Sequence, residues 1–130
     1  MVEPLSILVV EDDAIYAQFV ADTLREAGHD VDIVATSEQA RDKVRSRAPD
    51  AVMLDLHLPD GNGYDIARTL RGMLPNEAVI IMLTATQFPE LDLADAVGVD
   101  LVLTKPVEVK LVTDIVDHVR TRRQRKLQKP

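Results

Sequence analysis

Apolar residues recur in short runs separated by polar stretches, at 7–10, 31–34, 51–54, 79–83 and 101–103. Four of these runs are continuous and rich in β-branched residues, the pattern of strands buried on both faces of a parallel sheet. The second is interrupted by Asp32 and predicts a more exposed edge strand. Between the runs the periodicity is helical. Phe19, Val20, Thr23, Leu24 and Ala27 share one face of a first helix, with Gly28 as its stop. Thr36 and Gln39 have the spacing of a capping box for a second helix, which carries Ala40 and Val44 and ends before Pro49. Tyr64, Ala67, Leu70 and Arg71 predict a third helix after the turn-rich Pro59-Asp60-Gly61-Asn62-Gly63. A short fourth covers about 91–97, with Pro89 in a first-turn position. Val112, Ile115, Val116 and Val119 mark the last helix at i, i+3, i+4 and i+7. Strand and helix alternate five times, which specifies an α/β fold with a doubly wound, mostly parallel sheet. Ligands of such sheets bind at the carboxyl ends of the strands.

Composition narrows the function classes. With 130 residues, 46 % of them hydrophobic, the chain forms one domain with one core. Two Phe, two Tyr and no Trp make that core aliphatic. The absence of Cys excludes a disulfide framework, a thiolate zinc site and a cysteine nucleophile. No apolar run approaches the ~18 residues of a membrane span. The start, Met1-Val2-Glu3-Pro4, is acidic and unlike a signal peptide. A soluble, cytoplasmic protein is therefore expected.

The net charge of −7 is unevenly distributed. Arg120, Arg122, Arg123, Arg125, Lys126 and Lys129 give residues 120–130 six positive charges and no acid. The first 119 residues thus hold nine cations against 22 acids, a balance of −13. An acidic body disfavours nucleic acid as its own partner, and no aromatic residue interleaves with the basic charges to make a stacking surface. The basic segment reads as the exposed end of the last helix, as the start of a linker to an effector domain, or as a contact for an acidic partner. A longer final helix also offers a second copy of the chain a pairing surface.

The strand ends carry the chemistry. Glu11, Asp12 and Asp13 follow the first run, Asp55 the third, Thr84 the fourth, and Thr104-Lys105-Pro106 the fifth. The proposed sheet brings them to one patch. Each carboxylate there disfavours ionisation of its neighbours, and a divalent cation relieves the repulsion. An all-oxygen ligand set favours Mg²⁺. Lys105 supplies a point charge for a phosphate-like group and Thr84 a hydroxyl donor. A carboxylate beside a metal, a hydroxyl and a lysine suits formation of an aspartyl phosphate.

In order and spacing, several segments resemble the receiver (CheY-like) domain of two-component response regulators. They are Ile7-Leu8-Val9-Val10-Glu11-Asp12, Leu54-Asp55 with Leu58-Pro59-Asp60-Gly61-Asn62-Gly63, Leu83-Thr84-Ala85, Gly98-Val99-Asp100 and Thr104-Lys105-Pro106. The resemblance covers residues 5–119. It implies a flavodoxin-like, five-stranded sheet of order 2-1-3-4-5 and a receiver domain over 1–119, with 120–130 as a basic end or tail. It implies Asp55 as phosphoacceptor, with Thr84 and Lys105 as its partners in the switch. Mg²⁺ is expected on Asp12, Asp55 and the backbone carbonyl of His57, with Glu11 acting mostly through a water. The Lys105–Pro106 bond is expected to be cis. The implied partners are a sensor histidine kinase or histidine phosphotransfer protein, and downstream an effector protein or domain. The implied function is a signalling switch, with no enzymatic turnover beyond losing its own phosphoryl group.

Two departures stand out. Val102 occupies the position, three residues before the lysine, where the family often has Tyr or Phe. The stretch from Thr84 to Lys105, which includes Phe88-Pro89, is about one residue short, so an abbreviated fourth helix is expected. The missing aromatic makes a pseudo-receiver, binding partners without phosphotransfer, the alternative. A phosphohydrolase would need His57 in place of the usual second aspartate. A flavin site would place a phosphate against Glu11, Asp12 and Asp13, which repel it.

Other residues take plainer readings. Asp13 is expected to cap the first helix. The His57 side chain lines the mouth of the site, Thr86 affects access to it, and His29 and His118 are surface residues. Asp60 to Gly63 lack the acid count and spacing of a calcium loop.

Overall fold

A computed structural model describes residues 4–87 and 89–128, with the side chains of 109, 120 and 122–128 outside that description. The expectations for residues 1–3, for Phe88 and for the basic side chains from Arg120 onward therefore fall outside the described residues. In chain order the elements are β1 (Ser6–Val10), α1 (Ala14–Glu26), β2 (Asp30–Val34), α2 (Ser37–Ser46), β3 (Ala51–Asp55), β4 (His57–Leu58), β5 (Gly61–Asn62), α3 (Gly63–Met73), β6 (Val79–Thr84), α4 (Leu91–Ala96), β7 (Leu101–Thr104) and α5 (Val109–Gln128). Five parallel strands form one sheet in the order β2-β1-β3-β6-β7. Counting only these five, this is the expected 2-1-3-4-5. The short antiparallel hairpin β4–β5 is an addition that periodicity did not reveal, because each strand has only two residues.

Strand pleating sorts the core into two layers. Leu8, Val10, Val52, Leu54, Ile80 and Met82 face one side, where Ala40 and Val44 of α2, Ala67 and Leu70 of α3 and Ala94 of α4 cover them. Ile7, Val9, Ala51, Met53, Val79, Ile81 and Leu83 face the other, under Val20 and Leu24 of α1 and Val112 and Val116 of α5. β1, β3 and β6 are buried on both faces apart from Ser6, as their unbroken apolar runs require. β2 is the exposed edge that Asp32 predicts. β7 departs from expectation: Leu101, Val102 and Leu103 are only partly buried, because this strand is the sheet's other edge.

The buried face of α1 also differs from the periodic reading. It is Ala17, Val20, Ala21 and Leu24, while Phe19 is 60 % exposed. Two alanines carry little hydrophobic signal, yet their small side chains let the helix lie close to the sheet, and Phe19 falls outside that stripe. Gly28 ends α1 as expected: at φ +97° it sends its N–H to the Arg25 carbonyl, while the His29 N–H reaches Leu24. The Thr36 hydroxyl caps α2 by accepting the Gln39 N–H at 3.1 Å, and the Gln39 side chain returns to the N–H of Ala35. Pro89 precedes the Glu90 N-cap of α4 instead of sitting in the first turn, and α4 spans six residues. His29 is 6 % exposed, not a surface residue, because its Nδ1 accepts the Leu5 N–H at 3.0 Å just ahead of β1. His118 is exposed, as expected.

Candidate functional site

The register aligns Val10 with Leu54, Leu54 with Met82, and Thr84 with Thr104. Because β1, β3, β6 and β7 end at nearly one level, the residues that close or follow them meet. Glu11 is the first residue beyond β1; its N–H is held by the Val34 carbonyl and its side chain is 2 % exposed. Asp55 closes β3 at 8 % exposure, and its Oδ1 accepts the His57 N–H at 3.3 Å. Gly63 keeps this strand end in place by close packing. Its N–H reaches the Leu56 carbonyl at 2.7 Å, and a Cβ there would sit 2.7 Å from the Leu56 Cα and 2.9 Å from the Asp55 carbonyl oxygen. Asp12 and Asp13 are exposed. Asp13 caps α1, accepting from Ile15 and Tyr16 at 3.1 Å each.

Lys105 enters from the end of β7. Its backbone N–H donates to the Thr84 carbonyl at 2.8 Å, and the Lys105–Pro106 bond is cis. Its ammonium donates to Glu11 Oε1 at 2.5 Å and lies 3.5 Å from Asp55 Oδ2. Thr84 is fully buried, and its hydroxyl accepts the Thr86 N–H at 3.0 Å. The His57 side chain is exposed and is not part of the carboxylate group gathered within 4.8 Å.

The electrostatics are unbalanced. One lysine faces two buried carboxylates, with a third carboxylate at the rim. Burial, followed by contact with Asp55, pushes the Glu11 carboxyl from its ordinary 4.5 up to about 7, against the opposing pull of Lys105. For Lys105, burial works against the ammonium, but the Glu11 hydrogen bond and the Asp55 charge outweigh it and raise its pKa. Glu11 Oε2 is buried with no hydrogen-bond partner. One oxygen from each of Glu11, Asp12 and Asp55 lies within 4.8 Å of the others. An oxygen-only set that includes an orphaned buried carboxylate oxygen fits a hard divalent cation.

Three contacts that support this region have no local sequence signal. Asp60, in the β4–β5 turn, accepts from the Ser37 N–H and hydroxyl at 2.8 Å each, and these bonds to the start of α2 hold its pKa below the ordinary value. The Tyr64 hydroxyl accepts the Glu90 N–H at 3.0 Å and so links α3 to the start of α4. Tyr16 contacts Lys105. Each joins residues at least 23 positions apart, beyond the reach of a helical or strand period.

Strand order, site position and donor types together define a receiver-type signalling domain. Residues 7–117 match the family described as "Response regulator receiver domain", and the chain belongs to it. It is therefore a domain of two-component signalling. The chain is 38 % identical over 125 residues to the DNA-binding response regulator MtrA of Mycobacterium tuberculosis, covering 95 % of this chain and 53 % of MtrA. It is 32 % identical over 114 residues to the aerobic respiration control sensor protein ArcB of Escherichia coli, covering 86 % of this chain and 15 % of ArcB. The chain thus spans about half the length of MtrA. Among solved structures, the chemotaxis response regulator CheY4 of Vibrio cholerae superposes with a TM-score of 0.80 at 26 % identity, covering 90 % of this chain and 99 % of that one.

Proposed function

We propose that Asp55 accepts a phosphoryl group from a phosphohistidine of a sensor kinase or phosphotransfer protein. An Asp55 oxygen forms the new bond to phosphorus as the phosphorus–nitrogen bond breaks, and the electron pair leaves with the imidazole. Lys105, already beside Asp55, neutralises charge on the transferring oxygens. Glu11, Asp12 and Asp55, with the His57 carbonyl, are the proposed holders of Mg²⁺, which would add further charge neutralisation when bound. The Thr84 hydroxyl then leaves the Thr86 N–H for the new phosphoryl group, and this exchange biases β6, α4 and β7 between two arrangements. Water hydrolyses the acyl phosphate and resets the switch, so turnover is confined to the domain's own phosphoryl group.

Partners follow the same reading. Ile15 and Phe19, four residues apart on α1 and 85 % and 60 % exposed, give a phosphodonor an apolar footing beside the site mouth. The output is carried by an effector protein or domain; MtrA, a DNA-binding response regulator about twice as long as this chain, is in line with that. A cytoplasmic location goes with this reading.

The observation that carries the proposal is the unpartnered, buried Glu11 Oε2 in a cluster that also holds Asp55 and Lys105. Incubation with acetyl phosphate and Mg²⁺, followed by intact mass measurement, tests it. One phosphoryl group is expected, lost with Asp55→Ala or on chelation of the metal. Absence of labelling at saturating Mg²⁺, or labelling that survives Asp55→Ala, refutes it.

A further inference from the structure

The Tyr16 ring contacts the site lysine, and the phosphotransfer reading leaves it without a role. It stands in the first turn of α1, three residues after the Asp13 cap, and is partly buried against the layer formed by α1 and α5. Its ring lies under the Lys105 ammonium, 4.8 Å from Nζ to the ring centroid, within the ~6 Å range of cation–π attraction. Its hydroxyl accepts the N–H of Val107 at 3.4 Å. One side chain therefore grips both ends of Lys105-Pro106-Val107: the ring holds the charged tip and the hydroxyl holds the backbone just beyond.

We infer that Tyr16 is a positioning residue that aims the Lys105 ammonium at Asp55, an inference resting on the phosphoacceptor reading of that site. The physical need is specific. Lysine is a point charge on a flexible four-carbon stem, with no planar fork to fix its direction. Here the ammonium has two carboxylates to choose from, at 2.5 Å on Glu11 and 3.5 Å on Asp55. Hydrogen bonding alone favours Glu11, the nearer and more deeply buried partner. The ring adds a third point of attraction that asks nothing of a proton and remains when the carboxylates are engaged elsewhere. The hydroxyl bond fixes the position of the backbone from which the lysine projects. Together they keep Nζ near Asp55 when Glu11 turns to a cation. Val102 sharpens the assignment, since it leaves β7 without the aromatic expected three residues before Lys105.

The experiment uses the full chain and two variants. Tyr16→Phe keeps the ring and loses the hydroxyl; Tyr16→Met keeps bulk and loses the ring. The first readout is the Lys105 Hε chemical shift by NMR in metal-free protein, which needs no phosphorylation. Ring current should shift these protons upfield in the wild type and in Tyr16→Phe, and the shift should vanish in Tyr16→Met. The second readout is the maximal rate of labelling by acetyl phosphate at saturating Mg²⁺. Tyr16→Met should lower it about tenfold. Tyr16→Phe should stay within about threefold of wild type, and Mg²⁺ affinity by NMR titration should change less than about twofold in both. A residue that merely fills space would leave the labelling rate of Tyr16→Met at the wild-type value. That result, or the absence of an upfield Lys105 shift in the wild type, overturns the inference. If the wild type takes no label on Asp55, the phosphoacceptor reading fails by itself and the aiming role falls with it, while the NMR arm still reports whether ring and ammonium meet.

Discussion

The two ends of the parallel strands, an amino edge and a carboxyl edge, use the same kinds of side chain with opposite results. At the amino edge every strand presents backbone N–H groups, and the acids there find donors. Asp50 Oδ2 accepts the Ser6 N–H at 2.8 Å, and Asp100 Oδ2 accepts both the Ile80 N–H and the Arg71 guanidinium at 2.8 Å. His29 accepts from Leu5. At the carboxyl edge the strands present carbonyls, which offer a carboxylate nothing. Glu11 and Asp55 face one another across a single lysine, Asp55 with one long bond from the His57 N–H besides, and one buried oxygen of Glu11 has no partner at all. A parallel sheet makes this asymmetry unavoidable, since all its strands end together. Acids at the first edge brace the fold. Acids at the second have no such partners, and that unmet demand is what the proposed cation and phosphoryl roles of this edge rest on.

The largest effect should come from breaking the satisfied edge. Arg71 donates to the carbonyls of Gly98 and Ala78 as well as to Asp100, joining α3 to the α4–β7 turn and the start of β6. Its aliphatic stem packs where a Cβ on Gly98 would fall, 2.6 Å from the Arg71 Cγ. Arg71→Ala strips donors from several partly buried acceptors at once and should cost about 3 kcal/mol. Urea unfolding checks this: the midpoint should fall with the slope unchanged. A loss below about 1 kcal/mol would mean the amino edge is not the brace described.

Removing a charge at the other edge should have the opposite sign. Burial and Asp55 outweigh Lys105 in setting the Glu11 carboxyl, so its ionised form is a net burden on the metal-free fold at neutral pH. Glu11→Gln keeps the shape and removes that charge. In metal-free buffer at neutral pH it should stabilise the protein by about 1–2 kcal/mol. The wild type should in turn gain stability from added Mg²⁺, and the variant should gain less. Thermal melts with chelator and with Mg²⁺ measure both. A destabilised metal-free Glu11→Gln would show that the Lys105 bond outweighs the crowding of acids.

These two edges were not equally legible in the sequence. The carboxyl edge could be read because its logic is local: a polar residue that closes an apolar run must sit at a strand end, and strand order brings the ends together. Glu11, Asp12, Asp55, Thr84 and Lys105 all yield to that argument. The amino edge depends on which side chain a distant backbone group happens to meet. Nothing near His29 shows that its ring turns in to meet Leu5, 24 residues earlier. Arg71 reads as the polar end of a helical stripe, and its partners at Ala78, Gly98 and Asp100 appear only once α3 is docked. Phe19 misled for a related reason. Hydrophobicity ranks it above Ala17 and Ala21, whereas close packing on the sheet selects the small residues.

The smallest predicted effect separates two neighbours at the carboxyl edge. Asp12 and Asp13 are both exposed acids at the start of α1, and composition cannot tell them apart. Their partners can. Asp13 is already occupied by the N–H groups of Ile15 and Tyr16, whereas Asp12 contributes an oxygen to the carboxylate cluster. Asparagine caps a helix about as well as aspartate. Asp13→Asn should therefore leave stability within about 0.5 kcal/mol of wild type, and Mg²⁺ affinity within about twofold. Asp12→Asn should leave stability equally untouched but weaken Mg²⁺ by about tenfold or more, because it removes charge where no backbone donor compensates. NMR titration with Mg²⁺ distinguishes the two. Equal losses of affinity would mean that proximity to the cluster decides which acids serve the cation. A loss confined to Asp12→Asn would mean that prior occupation by backbone donors decides it, as the contrast between the two edges requires.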